Sequence, residues 1–96
     1  MKQKFYNVVK KEKIVDEGFS YTYELLLREG VRTDDFGLPL YSIRISMTDS
    51  DGRNSQREAT DVFADGAQAT RFFDKLVRNL ATPIDLGYVV EDEVMS

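Results

Sequence analysis

The chain has 96 residues, of which 42% are hydrophobic, and a formal net charge of −4. This length suits one domain, residues 1–96, with a single two-layer core. The sequence contains no cysteine and no histidine, which excludes a disulfide framework, a thiolate nucleophile and the commonest nitrogen ligand of metals. We therefore expect no cofactor, no bound metal and no catalytic centre.

Charge and hydropathy disfavour two classes of partner. No apolar run approaches the roughly 18–20 residues that span a bilayer, and none follows the basic start, so we expect a cytoplasmic protein that contacts no membrane. Residues 1–13 carry five lysines and one glutamate, a net charge of +4, so residues 14–96 carry −8. An acidic body repels phosphate, and we expect no nucleic-acid binding.

The first half of the chain favours two strands joined by a turn. Residues 4–15 are rich in lysine and β-forming residues, and the change of parity at Val8-Val9 indicates a bulge there or a break near Lys11. Asp16-Glu17-Gly18 is a turn signal. Residues 20–29 are predicted to form a central strand, because Leu25-Leu26-Leu27 places apolar side chains on both faces. Residues 30–38 are a predicted loop.

A second pair of strands follows. Residues 39–48 are predicted to form a strand with one buried face, because residues 41–48 alternate strictly between apolar and polar side chains. Residues 49–52, Asp-Ser-Asp-Gly, are a strong hairpin signal. Residues 55–62 form a strand that is unusually polar, as expected at the edge of a sheet.

An amphipathic helix is predicted over residues 66–81. Its apolar side chains recur with helical spacing and form one stripe: Ala69, Phe72, Phe73, Leu76, Val77 and Leu80. Asp65 and Gln68 form a helix start signal, and Pro83 marks the predicted end. The stripe must pack on the apolar face of the strands, which is formed by Tyr23, Leu25, Leu27, Ile43, Ile45 and Met47.

A shorter second helix is predicted at the C-terminal end. Thr82, Pro83 and Asp85 repeat the pattern of a helix start. Four apolar residues then follow helical spacing beside an acidic cluster, and we predict that they form a partner contact: Leu86, Val89, Val90 and Val94. The alternative for this segment is a fifth strand through residues 88–90. The alternative for the stripe is that it completes the core.

The hairpin turn also resembles part of a calcium loop. If Gly52 is the sixth position, then Asp49, Asp51 and Glu58 fall at the third, fifth and twelfth. Met47 would be the first position and offers no oxygen, and the flanks favour strands rather than the helices of an EF-hand. We interpret the segment as a turn without a metal ion.

The C-terminal half carries a family resemblance. A polar strand entering an amphipathic helix, followed by VRNLATPIDLGYVVEDE, is similar to small uncharacterised proteins of Firmicutes. In that family the helix precedes a Pro-x-x-Leu and a Val-x-Glu-Asp pattern. The resemblance covers residues 41–94 and implies a shared fold, and the family has no function to carry over.

The predicted architecture is α+β: an antiparallel four-stranded meander, one face packed by the helix at 66–81, and a shorter C-terminal helix. The missing catalytic residues favour a small cytoplasmic protein-interaction or regulatory module, which binds a protein partner or another copy of itself. The alternative is an enzyme or small-ligand binder that uses a carboxylate and lysine pocket between sheet and helices.

Overall fold

The computed structural model describes residues 6–28 and 40–95, and the side chains of residues 7–28 and 40–93. Four strands precede two helices: β1 (Tyr6–Asp16), β2 (Phe19–Arg28), β3 (Leu40–Thr48), β4 (Asn54–Phe63), α1 (Gly66–Arg78) and α2 (Pro83–Met95). The strands form one antiparallel sheet in the order β1-β2-β3-β4. The predicted α+β meander is confirmed, and so is the second helix, although α2 is as long as α1, 13 residues each, and not shorter as predicted. The predicted loop at 30–38 lies outside the described residues.

Local sequence determines the first hairpin. Glu17 and Gly18 both adopt positive φ, 49° and 85°, and join β1 to β2 in a two-residue turn. Positive φ at both positions matches the twist of the flanking strands. The β1–β2 register shifts between Val8 and Lys10, which confirms the predicted bulge.

The core lies between one face of the sheet and the helices. Tyr23, Leu25, Ile43 and Ile45 are completely buried on that face. The predicted stripe of α1 meets them through Ala69, Phe72, Phe73 and Leu76, all at most 2% exposed. Asp65 begins α1 as predicted, because its carboxylate accepts the Ala67 N–H at 2.9 Å.

The opposite face of the sheet is mostly polar. Arg44 of β3 lies between carboxylates of both neighbouring strands, 3.3 Å from Glu24 and 3.1 Å from Glu58. Leu26 is an exception at 2% exposed, in keeping with the central position predicted for its strand.

A bulge in β4 directs the chain from the sheet into α1. Three residues, 60–62, lie opposite Ser42, and Asp61 takes a φ of 54°. Its N–H donates to the buried Ser42 hydroxyl at 2.8 Å, and its carboxylate pairs with Arg28 at 3.2 Å. The bulge bends β4 so that Phe63 enters the core, with its ring 5.2 Å from that of Phe72.

Helix α1 ends earlier than predicted, at Arg78 rather than Ala81. The Ala81 N–H donates to the Leu76 carbonyl at 3.0 Å and the Leu80 N–H to that of Val77 at 3.1 Å, which is the Schellman pattern. Leu80 adopts a φ of 51°, the conformation that glycine usually supplies in this motif. After this reversal the chain continues as α2, which packs on β4 and β3.

Candidate interaction surface

The start of α2 is fixed by its own sequence. The Thr82 N–H donates to the Asp85 carboxylate at 3.1 Å, and the Asp85 N–H donates to the Thr82 hydroxyl at 3.3 Å. This reciprocal pair is a capping box, as predicted from the spacing of the two residues. Pro83 is the first helical residue and is buried.

Tyr23 anchors the connection between the helices. Its hydroxyl donates to the Ala81 carbonyl at 2.8 Å, so the middle of β2 holds the chain just before α2 begins. Burial raises the pKa of Tyr23 to about 12, and the nearby Tyr21 and Asp85 add to the rise. The neutral hydroxyl is therefore favoured in the folded protein, as its role as a donor requires.

We predict a loss of stability in strong alkali that depends on Tyr23. Its pKa is about 12 when folded and about 10 when unfolded, so the folded state retains the proton longer. The stabilisation is complete below pH 10 and disappears as the pH rises towards 12. Denaturant unfolding of the wild type and Tyr23→Phe across this range measures the effect. The stability difference between the two proteins should shrink with rising pH; a constant difference would contradict the assignment.

The predicted contact residues occupy different environments. Leu86 is 2% exposed and belongs to the core, while Val89 and Val90 are half-buried against it. The side chain of Val94 lies outside the described residues. The inward side of α2 thus packs on β3 and β4.

The outward side of α2 carries two apolar residues that the sequence interpretation missed. Ile84 is 69% exposed and Tyr88 is 73% exposed. They lie four residues apart and therefore neighbour each other on the helix surface. Their i, i+4 spacing already indicates a second apolar side of the helix. The sequence interpretation considered only the longer stripe of one leucine and three valines.

Two grooves flank α2. The β4–α2 groove encloses about 430 Å³ and is lined by Arg57, Glu58, Ala59, Val62, Leu86, Gly87, Val90 and Glu91. The α1–α2 groove encloses about 640 Å³ and is lined by Lys75, Asn79, Tyr88, Val89, Glu91 and Asp92. Both grooves combine apolar side chains with charged ones, and the α1–α2 groove reaches the outward side of α2 through Tyr88.

All charged side chains of α2 are acidic. Its sequence, PIDLGYVVEDEVM, contains four acidic residues and no lysine or arginine. The Lys75 ammonium of α1 lies 4.0 Å from the Glu93 carboxylate, at the margin of an ion pair. The helix therefore presents apolar residues within a negative surface.

The Asp49 carboxylate accepts hydrogen bonds from within the β3–β4 turn. One oxygen of Asp49 accepts the N–H groups of Asp51 and Arg53, each at 2.9 Å. Among residues 6–28 and 40–95, no group of three or more potential ligand side chains is placed to hold a metal ion.

We predict that millimolar calcium leaves the melting temperature unchanged, because only a ligand that prefers the folded state raises it. Thermal melts with and without calcium test this expectation. A rise that depends on calcium concentration and disappears in Asp51→Ala would establish a calcium site at the turn.

The fold and surface define a small α+β domain with two helices on one face of an antiparallel meander. The described residues include no helix with the length and apolar character needed to cross a bilayer. The model of a family of unknown function, DUF6514, matches residues 2–96, and the chain belongs to that family. The resemblance seen in residues 41–94 thus extends over almost the whole chain. No curated protein and no solved structure matches it significantly.

Proposed function

We propose that this domain is a cytoplasmic protein-interaction module without catalytic activity, and that its partner contacts the outward side of α2. The observation that carries the proposal is the adjacent exposed pair, Ile84 and Tyr88. Single exposed apolar residues are ordinary on protein surfaces, whereas a contiguous pair within a charged rim is typical of a contact site.

The composition of the surface supports a protein as the partner. Tyrosine is enriched among the residues that dominate binding energy, since its ring buries a large area and its hydroxyl stays hydrogen-bonded. Tyr88 also borders the α1–α2 groove, where the half-buried Val89 extends the apolar area. Glu91 and Asp92 give this area a polar rim, as at the edge of many interfaces.

Affinity capture with the full chain tests the proposal. Wild-type protein is used as bait in an extract of the native cells, beside Ile84→Ser/Tyr88→Ser. The matched control is Val8→Ser/Val15→Ser, which removes two apolar side chains that are 52% and 70% exposed on β1. Captured proteins are quantified by mass spectrometry, and self-association by sedimentation.

We expect a protein that both wild type and control retain and that the α2 variant loses by at least about tenfold. Loss of self-association in the α2 variant alone would equally support the proposal. Identical capture and sedimentation by all three baits would overturn it. Fractionation of native cells tests the cytoplasmic location.

A specific observation favours a second candidate, an enzyme or small-ligand binder. The α1–α2 groove brings Lys75 together with Glu91 and Asp92, so charges of both signs border one apolar wall. This candidate predicts that a small charged metabolite raises the melting temperature of the wild type and not of Lys75→Ala. The interaction proposal predicts no such rise.

A further inference from the structure

The α1–α2 groove lies between helix surfaces of opposite charge. It is lined by α1 at Lys75 and Asn79 and by α2 over residues 88–92. The basic side of the groove consists of Lys75 and Arg78, two exposed cations in the last turn of α1. The acidic side consists of two exposed carboxylates of α2, Glu91 and Asp92. Each side therefore carries two charges, and the two sides differ in sign.

These charges are not neutralised within one chain. Among residues 6–28 and 40–95, the side chains of Arg78, Glu91 and Asp92 form no ion pair or hydrogen bond with one another or with any other residue. The Lys75 ammonium lies 4.0 Å from the Glu93 carboxylate, at the outer limit of an ion pair. Both sides of the groove are therefore available to charged groups of a partner.

The other charged residues of α1 lie away from this groove. Asp74 is turned towards β1, where the Lys10 ammonium binds its carboxylate at 2.7 Å. Arg71 is exposed one turn before Lys75 and is not among the lining residues. The positive charge of the α1 side and the negative charge of the α2 side are thus not offset by neighbours on the same helix.

Apolar side chains lie between the two charged sides. Val89 is half-buried in the groove, and Tyr88 is 73% exposed at its edge. The groove encloses about 640 Å³, a volume in the range of pockets that hold small organic groups. An aromatic ring from a partner fits such a space, and Tyr88 of a second copy would supply one.

A surface of this kind is complementary to itself. A two-fold rotation about an axis through the groove places the basic side of each copy against the acidic side of the other. Each contact then occurs twice, as in any isologous interface. The net charge of −4 on each chain opposes association only weakly, because repulsion between exposed charges is screened beyond about 8 Å at physiological salt.

We propose that the chain forms a symmetric dimer through the α1–α2 groove, in which the basic side of each copy contacts the acidic side of the other. Tyr88 enters the groove of the second copy beside Val89. Exposed ion pairs contribute little affinity, so the charges determine the orientation and the apolar contact provides most of the binding. This inference rests on the proposed interaction function and names the partner as a second copy of this chain.

Charge reversal in the full chain tests the proposal by analytical ultracentrifugation over a range of protein concentrations. Lys75→Glu/Arg78→Glu makes both sides of the groove acidic, and Glu91→Lys/Asp92→Lys makes both sides basic. We expect a monomer–dimer equilibrium for the wild type and a dimer affinity at least about tenfold lower for each variant alone. Melting curves of each variant are recorded to establish that it is folded.

The decisive result is recovery when the two variants are mixed. A groove with two acidic sides complements a groove with two basic sides, so a heterodimer should form with nearly wild-type affinity although neither variant self-associates. The substitutions change the net charge of −4 by four units in opposite directions, giving −8 and 0. Attraction between net charges therefore does not account for recovery. The fourfold variant, with the two sides exchanged, should regain the homodimer.

Lys11→Glu/Lys13→Glu is the matched control. It changes the net charge as much as Lys75→Glu/Arg78→Glu does, at exposed positions of β1 outside the groove, and should dimerise like the wild type. The proposal is wrong if the wild type is monomeric, if either reversal variant associates at wild-type strength, or if the control loses as much affinity as they do. It is equally wrong if the mixture does not recover or if species larger than a dimer form.

The same measurements separate this inference from the broader function. If the wild type is monomeric but Ile84→Ser/Tyr88→Ser still loses a captured cellular protein, the dimer inference fails and the interaction function stands. If the wild type is monomeric and all baits capture the same proteins, both fail. Dimerisation that Ile84→Ser/Tyr88→Ser abolishes and that the mixed charge variants restore would support both.

Discussion

Replacing Phe73 by alanine is expected to lower the free energy of unfolding by about 3–5 kcal/mol. Phe73 is completely buried where α1 meets the sheet. The substitution removes apolar contacts and leaves a cavity that the surrounding side chains fill only in part. Small domains are stable by about 5–15 kcal/mol in total, so the variant should lie near the limit of folding.

Denaturant titration of the wild type and Phe73→Ala measures the loss. Arg71→Ala is the control, since Arg71 is exposed on the same helix and its replacement should change stability by no more than about 0.5 kcal/mol. A midpoint for Phe73→Ala close to that of the control would show that α1 does not pack on the sheet through this ring.

Truncation after Ala81 should prevent stable folding. It removes Pro83 and Leu86, which are buried, together with the half-buried Val89 and Val90. Each fully buried apolar side chain contributes about 1.5–3 kcal/mol, and the losses together approach the stability of a small domain. Circular dichroism and thermal melting of the shortened chain give the readout.

A point variant separates the role of the inward side of α2 from that of chain length. Leu86→Ala should cost about 2–5 kcal/mol, whereas Glu91→Ala at an exposed position should cost little. If the chain truncated after Ala81 melts like the wild type, α2 contributes nothing to the core and has a role only in partner contact.

Features encoded within a few residues were predictable from the sequence. The Glu17-Gly18 turn follows from residues that accept positive φ, and the Thr82–Asp85 capping box follows from a three-residue spacing. Helix α1 has only one apolar side, so the sequence alone identified its buried face. Each of these structures depends on neighbours in the sequence rather than on the rest of the fold.

The bulge in β4 and the end of α1 depend on contacts distant in the sequence. Asp61 adopts positive φ because Ser42 and Arg28, from two other strands, hold its amide and carboxylate. Leu80 also adopts a positive φ, in the Schellman motif at the end of α1, and no glycine in the sequence marks that motif. Pro83 begins α2, as predicted, but it does not determine where α1 ends, which is at Arg78.

The candidate surface was predicted only in its general location. Apolar residues lie on two sides of α2, one through Leu86 and Val90 and the other through Ile84 and Tyr88. Spacing alone does not say which side meets the sheet. In the structure Leu86 is buried in the core. The exposed pair, Ile84 and Tyr88, is therefore the better candidate for partner contact.

The central claim is that the outward side of α2 binds a protein. Photo-crosslinking in native cells tests it most directly, with a benzophenone amino acid in place of Tyr88 and, as the control, in place of Arg71. Both positions are exposed on helices, so the label is equally accessible. We expect a discrete protein adduct from position 88 and none from position 71. Absence of an adduct at position 88, or the same adducts at both positions, would contradict it.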